Sequence, residues 1–145
     1  MLVAAGEGSD WNAMTASWGG LGFLWNREVA FVFVRPTRHT FAYLERSDRL
    51  SLSFFDPPYR PALNYFGSRS GRDEDKAAGS GLTPIFFDDG SFSFAEAREV
   101  LSCRKLYAQD IDPERFVDAS LASHYPAEDY HRLYVAAIVV LRVRE

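Results

Sequence analysis

Cysteine and histidine are scarce in this sequence, which limits the metal and redox sites that the chain can build. The single cysteine, Cys103, rules out an internal disulfide framework and any zinc or iron–sulfur site that needs several cysteines. Its strand-like surroundings are typical of a small buried apolar residue, so we predict that Cys103 is not catalytic. The three histidines, His39, His124 and His131, lack the spacing of a metal cluster. The sequence therefore predicts no metal site.

Long apolar runs and a strong excess of one charge are also missing. The longest apolar run, residues 134–141, is far below the roughly 20 residues of a spanning helix, and the start of the sequence lacks the features of a signal peptide. The net charge of −4 is spread over interspersed acidic and basic residues, which disfavours a polyanion as partner. We expect a cytoplasmic protein that uses neither a membrane nor nucleic acid.

The length and composition that remain are those of one globular domain. The 145 residues are 47% hydrophobic and 25% charged. These values favour a folded chain with one hydrophobic core over a disordered one. We predict a single domain over residues 1–145.

Alternating or continuous apolar segments predict a mainly β fold. The predicted strands are residues 1–5, 12–18, 28–34, 50–55, 97–109 and 132–144, with a hairpin around Asp89-Gly90 at residues 85–94. Residues 28–34 are nearly all β-branched or aromatic, so we place them in the centre of the sheet. At Gly19-Gly20 and Gly22 we expect the chain to turn or to approach another group closely.

Short helices are predicted between some of these strands. Pro36 and Thr37 are start signals for a helix within residues 35–48, and Pro61 fits the first turn of a second helix at residues 59–66. A helical turn begins at residues 112–114. The polar segment 68–81 is read as a loop. Six or seven strands with two or three short helices suggest a closed or split barrel rather than a βαβ fold.

Three polar stretches interrupt this apolar scaffold, and each has two readings. Residues 14–20 (MTASWGG) form either a solvent-facing strand or a surface small enough for a flat ring to lie against the main chain. Residues 34–40 (VRPTRHT) form either a solvated helix start or an anion site, since the first turn of a helix favours a phosphate. Residues 70–76 (SGRDEDK) form either a surface loop or a third, flexible contributor of positive charge.

Together with their flanking residues, these stretches resemble a known family. Segments 12–45, 52–84, 96–111 and 130–134, in unbroken order, are similar to the flavin reductase-like family of FMN-binding split barrels, which includes the flavoredoxins. The resemblance implies a six-stranded Greek-key split barrel that forms a homodimer and holds FMN near the subunit interface. Compared with the family, the sequence lacks the lead-in segment before the strand at residues 1–5.

The resemblance also implies which residues bind the cofactor. Met14, Thr15, Ala16, Ser17 and Trp18 are expected along the isoalloxazine, with Ser53, Phe54 and Phe55 on the neighbouring strand. Arg35, Arg38 and Thr40 are expected around the phosphate, which agrees with the anion reading of the helix start. Ser70, Gly71, Arg72 and Lys76 are expected either to close over the flavin or to belong to the partner subunit's site.

The implied reaction is hydride transfer from NADH or NADPH to the flavin, whose electrons then pass to an acceptor protein or leave with free flavin. The flavin carries this chemistry, so no catalytic side chain is predicted. No G-x-G-x-x-G segment follows a strand, so a Rossmann dinucleotide domain is not expected. His131 is either near the nicotinamide or in a structural hydrogen bond. The alternatives to an NAD(P)H-dependent reductase are a flavoredoxin-type electron carrier and a barrel dimer without catalysis.

Overall fold

Nine strands form in residues 1–144, the part of the chain that the computed structural model describes, and β-branched and aromatic residues are frequent in most of them. Seven strands build the main sheet: β1 (Leu2–Glu7), β2 (Asp10–Thr15), β3 (Gly19–Leu24), β4 (Arg27–Val34), β5 (Arg49–Phe54), β8 (Glu99–Asp110) and β9 (Arg132–Val143). Their order is β2-β1-β5-β8-β9-β4-β3, and every neighbouring pair is antiparallel. A separate hairpin consists of β6 (Pro84–Phe86) and β7 (Phe92–Phe94).

Short helices connect the strands and cover one end of the sheet. They are α1 (His39–Arg46), α2 (Arg60–Ser68) and α3 (Lys76–Ser80), with 3₁₀ turns at Pro57–Tyr59, Pro113–Arg115 and Ala119–His124. In α3 the Asp75 carboxylate accepts hydrogen bonds from the first-turn N–H groups of Ala77 and Ala78, at 3.0 and 3.1 Å. The helix ends at Gly81, which takes the left-handed conformation that glycine tolerates best. No helix in the described residues is long and apolar enough to cross a membrane.

Strand β1 is buried on both faces because it lies between two hydrophobic clusters. Val3 and Ala5 pack into a cluster with the inward side of α1, whereas Leu2 and Ala4 pack into a second cluster with α2, α3 and β7. Successive side chains of a strand point to opposite faces, so one short apolar strand serves both clusters. The end of β2, beside β1, is thereby held rigidly next to the first turn of α1.

The structure confirms the mainly β prediction and corrects several details. The strand count is nine in the described residues rather than six. The first two helices, the hairpin and the long strands at residues 97–109 and 132–144 are confirmed. Strand β4 is not central, since it lies between β9 and the edge strand β3. The segment predicted to be a loop contains α3, and the 3₁₀ turn at Ala119–His124 was not predicted.

Strand β3 was missed because glycines replace the usual β-branched residues. Its glycines lie beside Phe31 of β4, and a Cβ added to Gly22 would come within 3.1 Å of the Phe31 ring. The glycines therefore serve a close approach, as one of the two sequence readings proposed, but they do so inside a strand.

Candidate functional site

Two adjoining clefts meet at the junction of β2 and α1. The first, here called the polar cleft, has a volume of about 270 Å³, and the second, the aromatic cleft, about 240 Å³. Met14 and Arg38 line both clefts, so the two are neighbours on either side of these residues. The polar cleft is lined by Asn12, Met14, Thr37, Arg38, His39, Thr40, Gly67, Ser68, Arg69, Ser70, Arg72 and Lys76. The aromatic cleft is lined by Met14, Thr15, Ala16, Ser17, Trp18, Phe33, Arg35, Arg38 and His131.

Two cations converge on one main-chain oxygen in the polar cleft. The Arg38 guanidinium donates to the carbonyl oxygen of Phe66 at 3.3 Å, and the Lys76 ammonium approaches the same oxygen at 3.5 Å and also donates to the carbonyl of Ala13. Within the described residues neither Arg38 nor Lys76 forms a salt bridge. The cleft therefore holds positive charge that carbonyl dipoles contact directly, with Glu74 acting on Lys76 only from beyond salt-bridge distance.

Burial disfavours the charged forms of the basic side chains in the polar cleft and so lowers their pKa values. The Lys76 side chain is almost fully buried, and desolvation, with a smaller contribution from Arg38, lowers the pKa of Lys76 to about 8. Desolvation also lowers the pKa of Arg38. The pKa of His39 is lowered first by burial and then by Arg72 and Lys76, which keeps that imidazole neutral near pH 7. An anion in the cleft would relieve all three effects.

Thr40 and Asn12 form the floor of the polar cleft. The Asn12 amide donates to the Thr40 hydroxyl oxygen at 2.9 Å, which leaves the Thr40 hydroxyl proton free for another acceptor. Gly71 lies against Asn12, and a Cβ added there would be 2.3 Å from the Asn12 Oδ1. No side chain in the described residues caps the first turn of α1 at Arg38. The Phe41 N–H already donates to the Arg38 carbonyl at 3.0 Å, so the N–H groups of His39 and Thr40 are the ones that a ligand could use.

One side of the aromatic cleft is formed by the end of β2 and the residues that follow it. Residues 14–18 run along it, with the Trp18 ring packed against the His131 ring at a centroid distance of 4.8 Å. The Thr15 hydroxyl donates to the carbonyl of Leu63 at 2.5 Å, which ties this wall to α2. Small side chains at Ala16 and Ser17 leave the main chain accessible, so a flat ring fits along this wall better than a branched ligand.

Arg35 lies in the aromatic cleft and not in the polar cleft where the sequence analysis expected it. Its guanidinium pairs with Asp129 at 2.5 Å and donates to the carbonyl of His124 at 2.8 Å. It also lies over the Tyr125 ring, 4.9 Å from the centroid. These contacts commit Arg35 to the segment between β8 and β9, so the structure brings Arg38 and Thr40 together without it.

The three expected residues of β5 and its end are divided between the two faces of the sheet. Ser53 is fully buried and shares a hydrogen bond with Ser93 at 2.8 Å, and Phe55 packs on Tyr59 and Phe94. Phe54 alone reaches a cleft. This third cleft, of about 260 Å³, adjoins the aromatic cleft at Ala16 and Ser17.

The structure brings Ser70, Arg72 and Lys76 into the polar cleft with Arg38 and Thr40, and Gly71 lies beside them. Six further residues that line the polar cleft, and Phe33 in the aromatic one, were not among the cofactor-binding residues expected from the sequence; the six are Asn12, Thr37, His39, Gly67, Ser68 and Arg69. A signal existed for Asn12, because Asn12 and Met14 are two residues apart on one strand and so share a face. No comparable signal marks Gly67 or Arg69, which lie at and after the end of α2.

The fold and the paired clefts define an antiparallel β protein with a cationic cleft beside an aromatic one. A family model described as "Flavin reductase like domain" matches residues 1–145, so the chain belongs to that family. The fold is accordingly the split barrel that the sequence analysis predicted. No curated protein sequence matches the chain.

Solved structures support the same fold. An FMN-binding protein from Thermus thermophilus with bound p-hydroxybenzaldehyde is 22% identical, with a TM-score of 0.77, and the match covers 99% of this chain and 70% of that one. Flavoredoxin of Desulfovibrio vulgaris (Miyazaki F) is 21% identical, with a TM-score of 0.77 and coverage of 99% and 68%. Flavoredoxin from Methanosarcina acetivorans is 17% identical, with a TM-score of 0.76 and coverage of 99% and 67%. At these identities the likeness concerns the fold.

Proposed function

We propose that the protein binds FMN, with the phosphate in the polar cleft and the isoalloxazine along the aromatic cleft. The observation that carries the proposal is the pair Arg38 and Lys76, a half-buried and a buried cation that form no salt bridge in the described residues. A phosphate dianion supplies the missing charge, and the adjoining cleft offers the flat, partly aromatic wall that a flavin ring requires. The residues present therefore fit FMN.

The phosphate would be held by charge and by hydroxyl and main-chain donors. The half-buried Arg38 and the buried Lys76 provide charge, and Thr40 provides a hydroxyl proton. The start of α1 provides the N–H groups of His39 and Thr40. Ser70 and Arg72 lie on the rim, where Arg72 is exposed and adds a screened contribution. Gly71 allows this rim to approach Asn12 closely.

The ring would lie against residues 14–18, with Trp18 and His131 at one side. Beyond Ser17, the third cleft brings Phe54 to the same groove. When bound, FMN would accept a hydride from NADH or NADPH and pass electrons to an acceptor protein or to free flavin. The chain's own residues bind and orient the cofactor, and none is assigned a proton-transfer role in this step. The protein would thus act as an NAD(P)H-dependent flavin reductase.

The test is the visible spectrum of the purified protein after incubation with FMN, followed by anaerobic addition of NADH or NADPH. Retained yellow colour that bleaches on addition of either nicotinamide supports the reductase. If the colour persists with both nicotinamides but bleaches with dithionite, the result would favour a flavoredoxin-type electron carrier over a reductase. A protein that stays colourless with FMN would contradict the proposal and favour a barrel without catalysis.

We further propose that two copies associate through the exposed side of β3 and the end of β9. Leu21 and Phe23 alternate along one face of this edge strand, Trp25 lies in the turn that follows it, and the three side chains are 55–70% exposed. Val139 and Leu141 are exposed on β9. Leu21 also lines the third cleft, so a second copy here would cover one end of the proposed flavin groove.

Sedimentation equilibrium tests the dimer. We expect a dimer for the wild type and a monomer for Phe23→Glu, which places a charge in the proposed interface. Phe86→Glu is the matched control, since Phe86 is also an exposed phenylalanine, 52% against 70% for Phe23, and lies on the small hairpin outside the proposed interface. A monomeric wild type with FMN fully bound would contradict the proposal, as would equal dissociation by the two variants.

A further inference from the structure

We propose that Tyr125 is a positioning residue that fixes the tautomer of His131, so that the imidazole offers its Nε2–H to a carbonyl oxygen of a planar ligand in the aromatic cleft. Tyr125 lies between β8 and β9, next to the 3₁₀ turn that ends at His124, and His131 directly precedes β9. The tautomer assignment is independent of the proposed function, whereas the choice of ligand rests on it.

The two side chains form a buried polar pair. The Tyr125 hydroxyl lies 2.8 Å from the Nδ1 of His131, and both side chains are more than nine-tenths buried. Their rings meet edge to face at a centroid distance of 5.5 Å. A hydrogen bond of this length in a buried setting fixes the orientation of the imidazole ring.

The direction of this hydrogen bond follows from the absence of another acceptor for the tyrosine proton. Burial raises the pKa of Tyr125, so the hydroxyl keeps its proton. In the described residues the Nδ1 of His131 is the only hydrogen-bond partner of that buried hydroxyl, so the hydroxyl donates its proton to Nδ1. A neutral imidazole has one N–H, so a proton-accepting Nδ1 places that N–H on Nε2.

The imidazole stays neutral because of its surroundings. Burial lowers the pKa of His131, and Arg35 lowers it further, while Asp129 acts in the opposite direction. These are the charged groups that face the ring from β4 and from the segment before β9. Arg35 also lies over the Tyr125 ring, so its ion pair with Asp129 helps to hold the tyrosine in place.

The other ring nitrogen faces the aromatic cleft. Every fully buried side-chain nitrogen or oxygen in the described residues has a hydrogen-bond partner. Nε2 has no protein partner in that part of the chain, so it is reached from solvent, and the opening that His131 lines is the aromatic cleft. The rings of Trp18, at 4.8 Å, and Phe33, at 6.5 Å, flank the imidazole.

A donor between aromatic walls selects a particular ligand chemistry. Trp18 and Phe33 favour a planar ring, and Nε2–H requires an acceptor at the edge of that ring. Such an acceptor is a carbonyl oxygen, whether it belongs to the flavin or to a second ligand beside it. A ligand that places a hydrogen-bond donor at this point would face the Nε2–H donor, and neither proton would have an acceptor.

Nitrogen-15 NMR of the histidine side chains tests the tautomer directly. We expect His131 of the wild type, near pH 7, to show an unprotonated Nδ1 and a protonated Nε2. Tyr125→Phe keeps the aromatic packing but removes the hydroxyl, so we expect both tautomers of His131 to be populated. Tyr130→Phe, in the same segment but without a hydrogen bond to His131 in the described structure, should leave the tautomer unchanged.

Two outcomes would overturn the inference. One is a wild type with its proton on Nδ1, a result that needs no variant. The other is the same tautomer ratio in Tyr125→Phe and in the wild type. Failure to bind FMN would leave the tautomer result intact and would count against the proposed function alone.

The ligand chemistry is tested by the chemical shift of the Nε2–H group. A shift on FMN addition assigns the acceptor to a flavin carbonyl, and a shift only when acetophenone is added to the FMN-saturated protein assigns it to a second ligand. The control is α-methylstyrene, which has the shape of acetophenone without the oxygen. A group that responds to neither FMN nor acetophenone, or equally to acetophenone and α-methylstyrene, would refute the carbonyl assignment.

Discussion

Replacing Lys76 by methionine should remove a pH dependence of stability that comes from one buried charge. Burial lowers the pKa of Lys76 from its ordinary 10.5 to about 8. At about 1.4 kcal/mol for each pH unit, this difference destabilises the FMN-free fold by at most about 3.5 kcal/mol near pH 7. The penalty exists only while Lys76 is protonated in the folded state.

The sign of the effect follows from proton counting. Between about pH 8 and the ordinary pKa of 10.5, the unfolded chain binds the Lys76 proton and the folded chain does not. The free energy of unfolding therefore rises with pH in this window and is lowest below it. In Lys76→Met this rise should be absent.

Urea denaturation of the FMN-free proteins at about pH 7 and about pH 10 measures this difference. The free energy of unfolding of the wild type should increase by about 2 to 3 kcal/mol more than that of Lys76→Met over this interval. With saturating FMN the difference should shrink, because a nearby phosphate favours the charged ammonium. FMN affinity should fall in Lys76→Met, while Lys105→Met, which changes the only other lysine of the sequence, should retain it. Equal pH dependence in wild type and Lys76→Met would refute the reasoning.

Two further predictions concern the cleft and the cysteine. Arg38→Ala should weaken FMN binding roughly ten- to hundredfold, the value of one charge-assisted hydrogen bond of about 1.5 to 3 kcal/mol, while riboflavin affinity changes little. Arg69→Ala, the control on the exposed rim of the same cleft, should have a small effect in both titrations, and an equal FMN loss in the two variants would contradict the assignment. Cys103→Ser should leave flavin reduction within a few-fold, because the thiol is buried and its pKa is raised to about 12 by desolvation. Loss of turnover with FMN still bound would show that Cys103 matters.

The sequence predicts the elements whose local signals agree with their final environment. Residues 28–34 form a strand because β-branched and aromatic side chains suit a buried pleated surface, and Asp89-Gly90 marks the small hairpin. Strand β3 is not predicted because its glycines carry no such signal, and its pairing with Val29, Phe31 and Val32 of β4 is not visible in the local sequence. The position of β4 near one edge depends on strand order, which local patterns do not encode.

The candidate site was predictable only where a residue's position depends on local sequence and not on contacts with distant residues. Arg38 follows from the helix start, because its position in the first turn is a local property. Arg35 is three residues earlier with the same side chain, and only the distant Asp129 decides that it lies in the aromatic cleft. Lys76 reads as a loop cation in the sequence, and its burial depends on the carbonyls of Ala13 and Phe66.

The most direct test of the central claim is a crystal structure of the protein saturated with FMN. We predict a phosphate group within hydrogen-bond distance of both the Arg38 guanidinium and the Lys76 ammonium, with the isoalloxazine along residues 14–18. A phosphate bound outside the polar cleft, or a protein that takes up no FMN from solution, would contradict the account.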